Sequence, residues 1–470
     1  MVREQELLNL DITSLHTEYK NRSISPVEVV EWVFKRIDKY AHLNAYITVC
    51  HQEGMRQAQQ AEKLFREGNE HRGLLLGIPL GLKDLIQTKG IRTTSGSAVY
   101  NNFIPKEDAT VVKILKESGS VIVGKQNTHE LAYGTTGDDS YFGPMRNPYQ
   151  PEKIAGGSSG GSASATAVQL CWGSLGTDTS GSIRIPSALC GIVGMKPTYG
   201  KINTDGIQQL SKSMDHVGPI TRTVMDNAII FDALLGNLES AKSISRSLRE
   251  SPKSNLKNKK IGIPASYFYD EVDEEVKEKV LSLTEILENL GATVIDIHLD
   301  IPKMKEAMEI SSAIDRSEAY LIHREIVHDP GSLLGEVTRN RILQGSEYRA
   351  YEFVIAQNLK EEITAEYRRA FQKVDALLTP TVPILPTKIG EENISINGNI
   401  QSVRSALMRF TFLANYIGIP SITLPCGMSK SGLPIGAQLM GGWGKEETLY
   451  QISLQLETAC DVKEELIAYK

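Results

Sequence analysis

The chain predicts an α/β protein, and three observations carry that prediction. Helix and strand signals alternate along most of the sequence, the 470 residues are ample for a large core, and a glycine-rich tract falls between two of the alternating units. Alternation of this kind is the pattern of a sheet covered by helices. At roughly 100 to 200 residues per domain the length allows two to four domains, or one large layered domain. The organisation adopted is a single domain over 1–470.

The first clear element is an amphipathic helix over 25–40. Ser25 is placed to cap it, Pro26 suits its first position, Glu28 completes a capping box, and Val29, Val33 and Ile37 recur at helical spacing. Ala45 to Val49 is strand-like and a helix follows over 53–67, which makes 1–70 a mainly helical N-terminal part. Gly77 to Ile86 is an apolar strand. Asp108 is expected to cap a helix over 109–118 that Gly119 stops, ahead of the buried strand Val121-Ile122-Val123. Residues 134–206 hold 14 glycines in 73 positions, about 19% against a usual ~7%, so unusual backbone is expected there. A helix over 223–235 ends at Gly236, and the polar, aperiodic stretch 240–260 is expected to be a surface linker. Ile261 to Ile263, the face Val276, Val280, Leu283, Leu287 and Leu290, and Ala292 to Ile297 then form a strand–helix–strand unit. Residues 301–372 are a mainly helical, variable segment, and 375–384, 421–425 and 434–440 return to strand character. No internal repeat is present.

Composition narrows the function classes. Lys plus Arg number 51 and Asp plus Glu 57, so the formal charge is 51 − 57 = −6, with 23% charged and 41% hydrophobic residues. Nothing in that balance builds a surface for phosphates or anionic lipid, so nucleic acid and membrane are not expected as direct partners. A small molecule is. The five cysteines are scattered, with no C-x-x-C and no Cys/His pair at ligand spacing, which fits a reducing cytoplasm. The N-terminus has no apolar core of a secretory signal. The uncharged run 154–177 holds only ten apolar residues in 24, too few for a membrane span.

The sharpest chemical feature is Gly156-Gly157-Ser158-Ser159-Gly160-Gly161-Ser162, followed by Asp178-Thr179-Ser180-Gly181-Ser182-Ile183-Arg184. Two serine-bearing, glycine-containing turns flank one helix-compatible segment. Such turns suit a phosphate cradle or an oxyanion hole, because glycine brings backbone N–H groups close to a bound group. A P-loop is excluded, since no lysine follows Gly160 or Gly161. The nucleophile-elbow pattern G-x-S-x-G matches at Ser158 and at Ser159, with His298, His323 and His328 downstream as bases. Its context argues otherwise: an elbow follows a core strand, and Arg146 to Lys153, with two prolines, cannot be one. A third feature is Lys83, a lone cation in the apolar run Ile78 to Ile86. Asp84 should point to the opposite face of that strand. Burial would lower the lysine pKa toward a value at which the amine takes a proton.

Three stretches together resemble the amidase signature family: GIPLGLKDLIQTKGIRTTSGS (77–97), FGPMRNPYQPEKIAGGSSGGSASA (142–165) and LGTDTSGSIRIPSALCGIVGMKPTYG (175–200). Weaker similarity runs over 25–50, 217–235, 375–390 and 418–457. The resemblance implies an α/β/α layered fold with a large mixed central sheet, and hydrolysis of carboxamides without metal or organic cofactor. It implies Ser182 as nucleophile, Ser158 as the bridging serine after a cis peptide bond, and Lys83 as base, 75 residues before Ser158, with Ser182 24 residues after it. It further implies an oxyanion hole from the backbone N–H groups of Thr179, Ser180, Gly181 and Ser182, with Asp178 and Arg184 in support. Where the family usually has glycine, this chain has Ser180; a positive φ there would strain the turn, and the side chain would reshape the acyl pocket. His129 is expected on a helix near the site, and Tyr133 and the 133–137 loop on the leaving-group side.

The preferred function is a stand-alone amidase acting on a small carboxamide. The alternatives are the glutaminase subunit of a tRNA-dependent amidotransferase and an inactive binding protein on the same scaffold. Arg316, Arg339 and Arg341 are candidates to meet a substrate carboxylate. Substrate identity, companion subunits and oligomeric state, a homodimer included, are not legible.

Overall fold

The computed structural model describes residues 2–69, 73–238, 240, 242–250, 255–264, 266–460, 462 and 466. Its strands, in chain order, are β1 Tyr46–Val49, β2 Pro79–Lys83, β3 Val121–Gln126, β4 Gly173–Asp178, β5 Val193–Lys196, β6 His216–Thr221, β7 Lys260–Pro264, β8 Thr293–Ile297, β9 Ala376–Pro380, β10 Asn393–Ile396, β11 Asn399–Ser402, β12 Ser421–Met428 and β13 Pro434–Gly441. Eleven of them form one mixed sheet in the order β1-β3-β2-β4-β6-β5-β12-β13-β9-β7-β8, and β10 and β11 pair as a separate hairpin. The neighbours β3, β2 and β4 run parallel, as do β9, β7 and β8, while the centre is antiparallel.

Helices cover both faces. On β13, an added Cβ at Gly436 would meet Ala188 of the helix Arg184–Leu189, and one at Gly441 would meet Leu449 of the helix Glu446–Cys460. The two positions are five apart, so in a strand they point to opposite faces. The expected α/β/α layering follows. Strands β2 to β6 are buried along their whole length, so they read as apolar runs rather than alternating ones.

Several sequence expectations take their final form here. Ser25 Oγ accepts from Glu28 N at 3.2 Å and Glu28 Oε2 from Ser25 N at 2.9 Å, the expected capping box on Pro26–Lys39. Asp108 does not cap the helix Thr110–Glu117. Ala109 occupies the cap without a side-chain bond, and the Asp108 carboxylate instead accepts from Lys89 N and Lys116 Nζ. The stretch 240–260 is not a plain surface linker. Within it Ile244–Glu250 is a helix with Ile244 and Leu248 buried. Its start is held by buried Asp232, which accepts from Ser243 Oγ (2.9 Å), Ile244 N (3.0 Å) and Ser245 N (2.7 Å). A serine-rich sequence looks disordered until a distant carboxylate satisfies its donors. Residues 251–254 lie outside the described residues. The segment 301–372 is helical as expected, with helices Ile301–Ile310, Ser312–His328, Glu336–Gln344 and Ala350–Ala370.

Candidate active site

Lys83 ends β2 and Asp178 ends β4, and because these strands are parallel neighbours their chain ends leave the sheet along one edge. Beyond them lie the two glycine-rich turns. The first carries Ser158 after a cis Gly157–Ser158 peptide bond and opens into the helix Gly160–Ala167. The second carries Ser182 and opens into Arg184–Leu189. Close packing accounts for the glycines: a Cβ at Gly161 would lie 2.5 Å from Asn127 O, and Gly181, at φ +129°, would place one 2.2 Å from Thr411 Oγ1. Ser159 joins the turns. Its N–H donates to Ser182 O at 3.2 Å and its Oγ to Thr177 O at 3.1 Å.

Lys83 is fully buried, and its Nζ bonds Ser158 Oγ and Thr177 Oγ1, each at 2.7 Å. Burial pushes its pKa from 10.5 down to about 7, against the opposing pull of Asp178 and Asp215. Asp84, as expected, is no partner of Lys83; it lies 3.3 Å from Lys125 Nζ and accepts from Thr94. Ser158 is fully buried, whereas Ser182 lines a narrow, open cavity with Tyr133, Thr135, Thr179, Ser180, Asp315 and Arg404 among others. Sequence reasoning missed Thr177, although it sits beside Asp178 in the signature stretch. Alternation along β4 was the available signal.

Asp178 and Arg184 form a bidentate pair, with Arg184 Nε 3.0 Å from Oδ2 and Nη2 3.1 Å from Oδ1. Both are fully buried, and Asn415 and Gln438 complete the network: Arg184 Nη1 donates to Gln438 Oε1 at 2.8 Å, and Asn415 Nδ2 to Asp178 O at 2.8 Å. Burial alone would favour the neutral acid, yet the adjacent guanidinium holds the Asp178 carboxyl well below the usual range. The same carboxylate accepts from Gly181 N at 2.7 Å and Ile183 N at 3.1 Å, which fixes the Ser182 turn.

That bond corrects one expectation. The Gly181 N–H is committed to Asp178 and does not face the cavity as an oxyanion donor, while among the described residues no acceptor takes the N–H of Thr179, Ser180 or Ser182. Thr179 is held from its side chain, with Oγ1 donating to Asp215 Oδ1 at 2.6 Å. Burial pushes the Asp215 carboxyl up to about 6 in spite of that bond and those from Leu210 N and Ser211 N. Ser180 does not adopt a positive φ, so the strain expected there is absent; Gly181 takes the left-handed conformation instead.

His129 lies not on a helix but just before a short turn over Glu130–Ala132, its N–H donating to Ser158 O at 3.2 Å. Its ring packs under Gly134, and burial, together with Arg341, Arg404 and Lys83, keeps it neutral. Tyr133, Gly134 and Thr135 line the cavity, whereas His298, His323 and His328 do not.

Comparison with known proteins bears on this geometry. The amidase family profile matches residues 28–450. This chain belongs to the amidase signature family. A glutamyl-tRNA(Gln) amidotransferase subunit from Geotalea daltonii (strain DSM 22248 / JCM 15807 / FRC-32) is 37% identical, covering 97% of this chain and 98% of the relative. A solved structure described as an amidase superposes with TM-score 0.87 at 30% identity, over 96% of this chain and 99% of its own. The corresponding glutamyl-tRNA(Gln) amidotransferase subunit from Thermotoga maritima superposes with TM-score 0.76 at 31% identity, over 96% and 94%. The amidase is thus an enzyme acting on linear amide C–N bonds. Among the described residues no helix is long and apolar enough to cross a membrane.

Proposed function

We propose that the amidase cleaves a small carboxamide through a Ser182 acyl-enzyme, with Ser158 and Lys83 as its proton relay. The observation that carries this is the buried Lys83–Ser158 hydrogen bond of 2.7 Å beside the Ser182 turn, at a lysine whose pKa burial brings to about 7. Neutral Lys83 accepts the proton of Ser158, Ser158 accepts that of Ser182, and Ser182 Oγ attacks the amide carbonyl. The developing oxyanion meets the uncommitted N–H groups of the 179–182 turn. The relay returns its proton to the departing nitrogen, the C–N bond breaks, and ammonia or an amine leaves. Water, deprotonated by the same relay, then attacks the ester and releases the carboxylic acid. Asp178 and Arg184 hold the turn and do not touch substrate. Thr177, as a second partner of Lys83 Nζ, fixes the amine in line with Ser158.

Two roles fit this chemistry. The amidotransferase relatives, 34–37% identical over nearly the whole chain, support the glutaminase subunit of a tRNA-dependent amidotransferase, which releases ammonia from glutamine for a companion. They weigh more than the sequence preference for a stand-alone enzyme. The stand-alone role keeps one observation of its own, the tighter superposition on an amidase (TM-score 0.87) than on the Thermotoga maritima amidotransferase (0.76). The five unpaired cysteines, four of them buried, suit a cytoplasmic setting. The test is ammonia release from glutamine, aryl amides and short aliphatic amides by wild type and Ser182→Ala, alone and with proteins that co-purify. Glutamine turnover that needs companions supports the amidotransferase role, and turnover of other amides without them supports the stand-alone enzyme. Release that persists in Ser182→Ala would overturn the Ser182 mechanism.

A further inference from the structure

We propose that Arg404 and Tyr133 anchor a carboxylate at the far end of the acyl group, which puts Tyr133 on the acyl side and not on the leaving-group side expected of it, so that the site selects carboxamides with an anionic end. The inference rests on the Ser182 amidase reading and deepens it. Where ammonia is the leaving group, any charge on the substrate must sit on its acyl side.

Arg404 and Tyr133 line the same cavity as Ser182. The guanidinium carbon lies 5.6 Å from the centre of the Tyr133 ring. Tyr133 is only 2% exposed, and neither its hydroxyl nor Arg404 Nε, both buried, has a hydrogen-bond partner among the described residues. Two orphaned donors on one wall are costly to leave unmade, and a planar guanidinium beside a phenol is a donor set for a carboxylate. Burial and the nearby charge of Arg341 push Arg404 down to about 10, so an anion there would relieve both.

The arginines conspicuous in the sequence are engaged elsewhere. Arg316 donates to Gln344 Oε1 at 2.6 Å, Arg339 to the carbonyls of Val327 and Ser332, and Arg341 to Tyr133 O at 2.8 Å. Among the described residues Arg404 is the arginine that lines the Ser182 cavity, and its buried Nε has no acceptor. Asp315 lines the same cavity, and although no contact within salt-bridge distance joins it to Arg404 among the described residues, the two opposite charges attract each other. Its carboxylate would favour a cationic end instead, so the two residues make opposite demands that experiment separates.

The test uses three amides of matched length: pentanedioic acid monoamide, pentanamide and 5-aminopentanamide. Binding is measured by calorimetry on Ser182→Ala and on Ser182→Ala/Arg404→Gln, and kcat/KM on the forms with Ser182 intact. The expected result is binding of the monoamide at least tenfold tighter than pentanamide, falling below threefold with Arg404→Gln and partly restored by Arg404→Lys. Equal binding of the monoamide and pentanamide, tighter binding of 5-aminopentanamide, binding of none, or a ratio unmoved by Arg404→Gln would each overturn the anchor. Pentanamide hydrolysis that needs Ser182 but shows no charge preference would leave the amidase mechanism standing without it. Arg404-dependent binding with no turnover of any amide would keep the anchor and remove the mechanism instead.

Discussion

In the proposed mechanism Lys83 must lose its proton before Ser182 can attack, and its buried setting makes that loss accessible near neutrality. At the ordinary lysine pKa of ~10.4 only about one side chain in a few thousand is neutral at pH 7; at about 7 roughly half are. kcat/KM should therefore rise with pH through an inflection near 7 and then level. A profile still climbing at pH 10 would contradict it, and Lys83→Met should lose at least ~10²-fold with no such inflection, measured as ammonia release. Ser180 gives a second prediction at this scale. Because its φ is not positive, Ser180→Gly relieves no strain and adds freedom to the unfolded chain, so stability should fall by up to ~1 kcal/mol in denaturant melts. A stability gain would restore the strained-turn view. Lys83, Ser158 and Ser182, the residues proposed for the relay, stood out in the sequence because the signature stretches carry them. Arg404 and Asp315 did not: they reach the cavity from a short helix and a long one far along the chain, and no local pattern marks that meeting.

Between β4 and the Ser182 turn, order comes from one buried ion pair. Asp178 satisfies Gly181 N and Ile183 N only while Arg184 balances its charge, and Arg184 is in turn held by Asn415 and Gln438. Arg184→Met should cost about 3–5 kcal/mol, because it leaves a buried carboxylate without its counter-charge. Thermal or denaturant unfolding measures the loss; a loss under ~1 kcal/mol would mean that Asn415 and the backbone donors suffice. The pairing of Asp178 with Arg184 was implied by the family resemblance. Its outer partners were not, since Asn415 and Gln438 lie 231 and 254 residues from Arg184. The same distinction explains the helix Ile244–Glu250, whose stabilising carboxylate, Asp232, belongs to the preceding helix. Strands and amphipathic helices were legible from periodicity, whereas caps supplied from afar were not.

Over the whole molecule, buried titratable groups link function to stability. Lys83 has its folded pKa depressed to about 7, so between about 7 and 10.5 the unfolded chain holds more protons and stability rises with pH. Asp215 and Asp226, raised to about 6 and about 7 by burial, act in the opposite sense and lose their contribution as pH climbs from about 4 to 7. The Tm of wild type minus that of Lys83→Met should consequently increase from pH 7 to 10, whatever its sign at pH 7. A difference that is flat or falling in that window would mean that the lysine is not depressed. The α/β/α plan itself was readable from strand–helix alternation together with the family stretches, while the strand order, with β12 and β13 inserted between β5 and β9, depends on the β12–β5 pairing of residues more than 200 apart.

The central claim is that Ser182, activated through Ser158 by neutral Lys83, is the nucleophile, and it can be tested without knowing the substrate. A small serine-directed fluorophosphonate is reacted with the protein across pH 5 to 10, and the adduct is located by peptide mass spectrometry. The expected result is a single adduct on Ser182, forming at a rate that inflects near pH 7 and slows at least ~10²-fold in Lys83→Met. An adduct on Ser158 or elsewhere, or labelling of Ser182 that ignores both pH and Lys83, would contradict the mechanism.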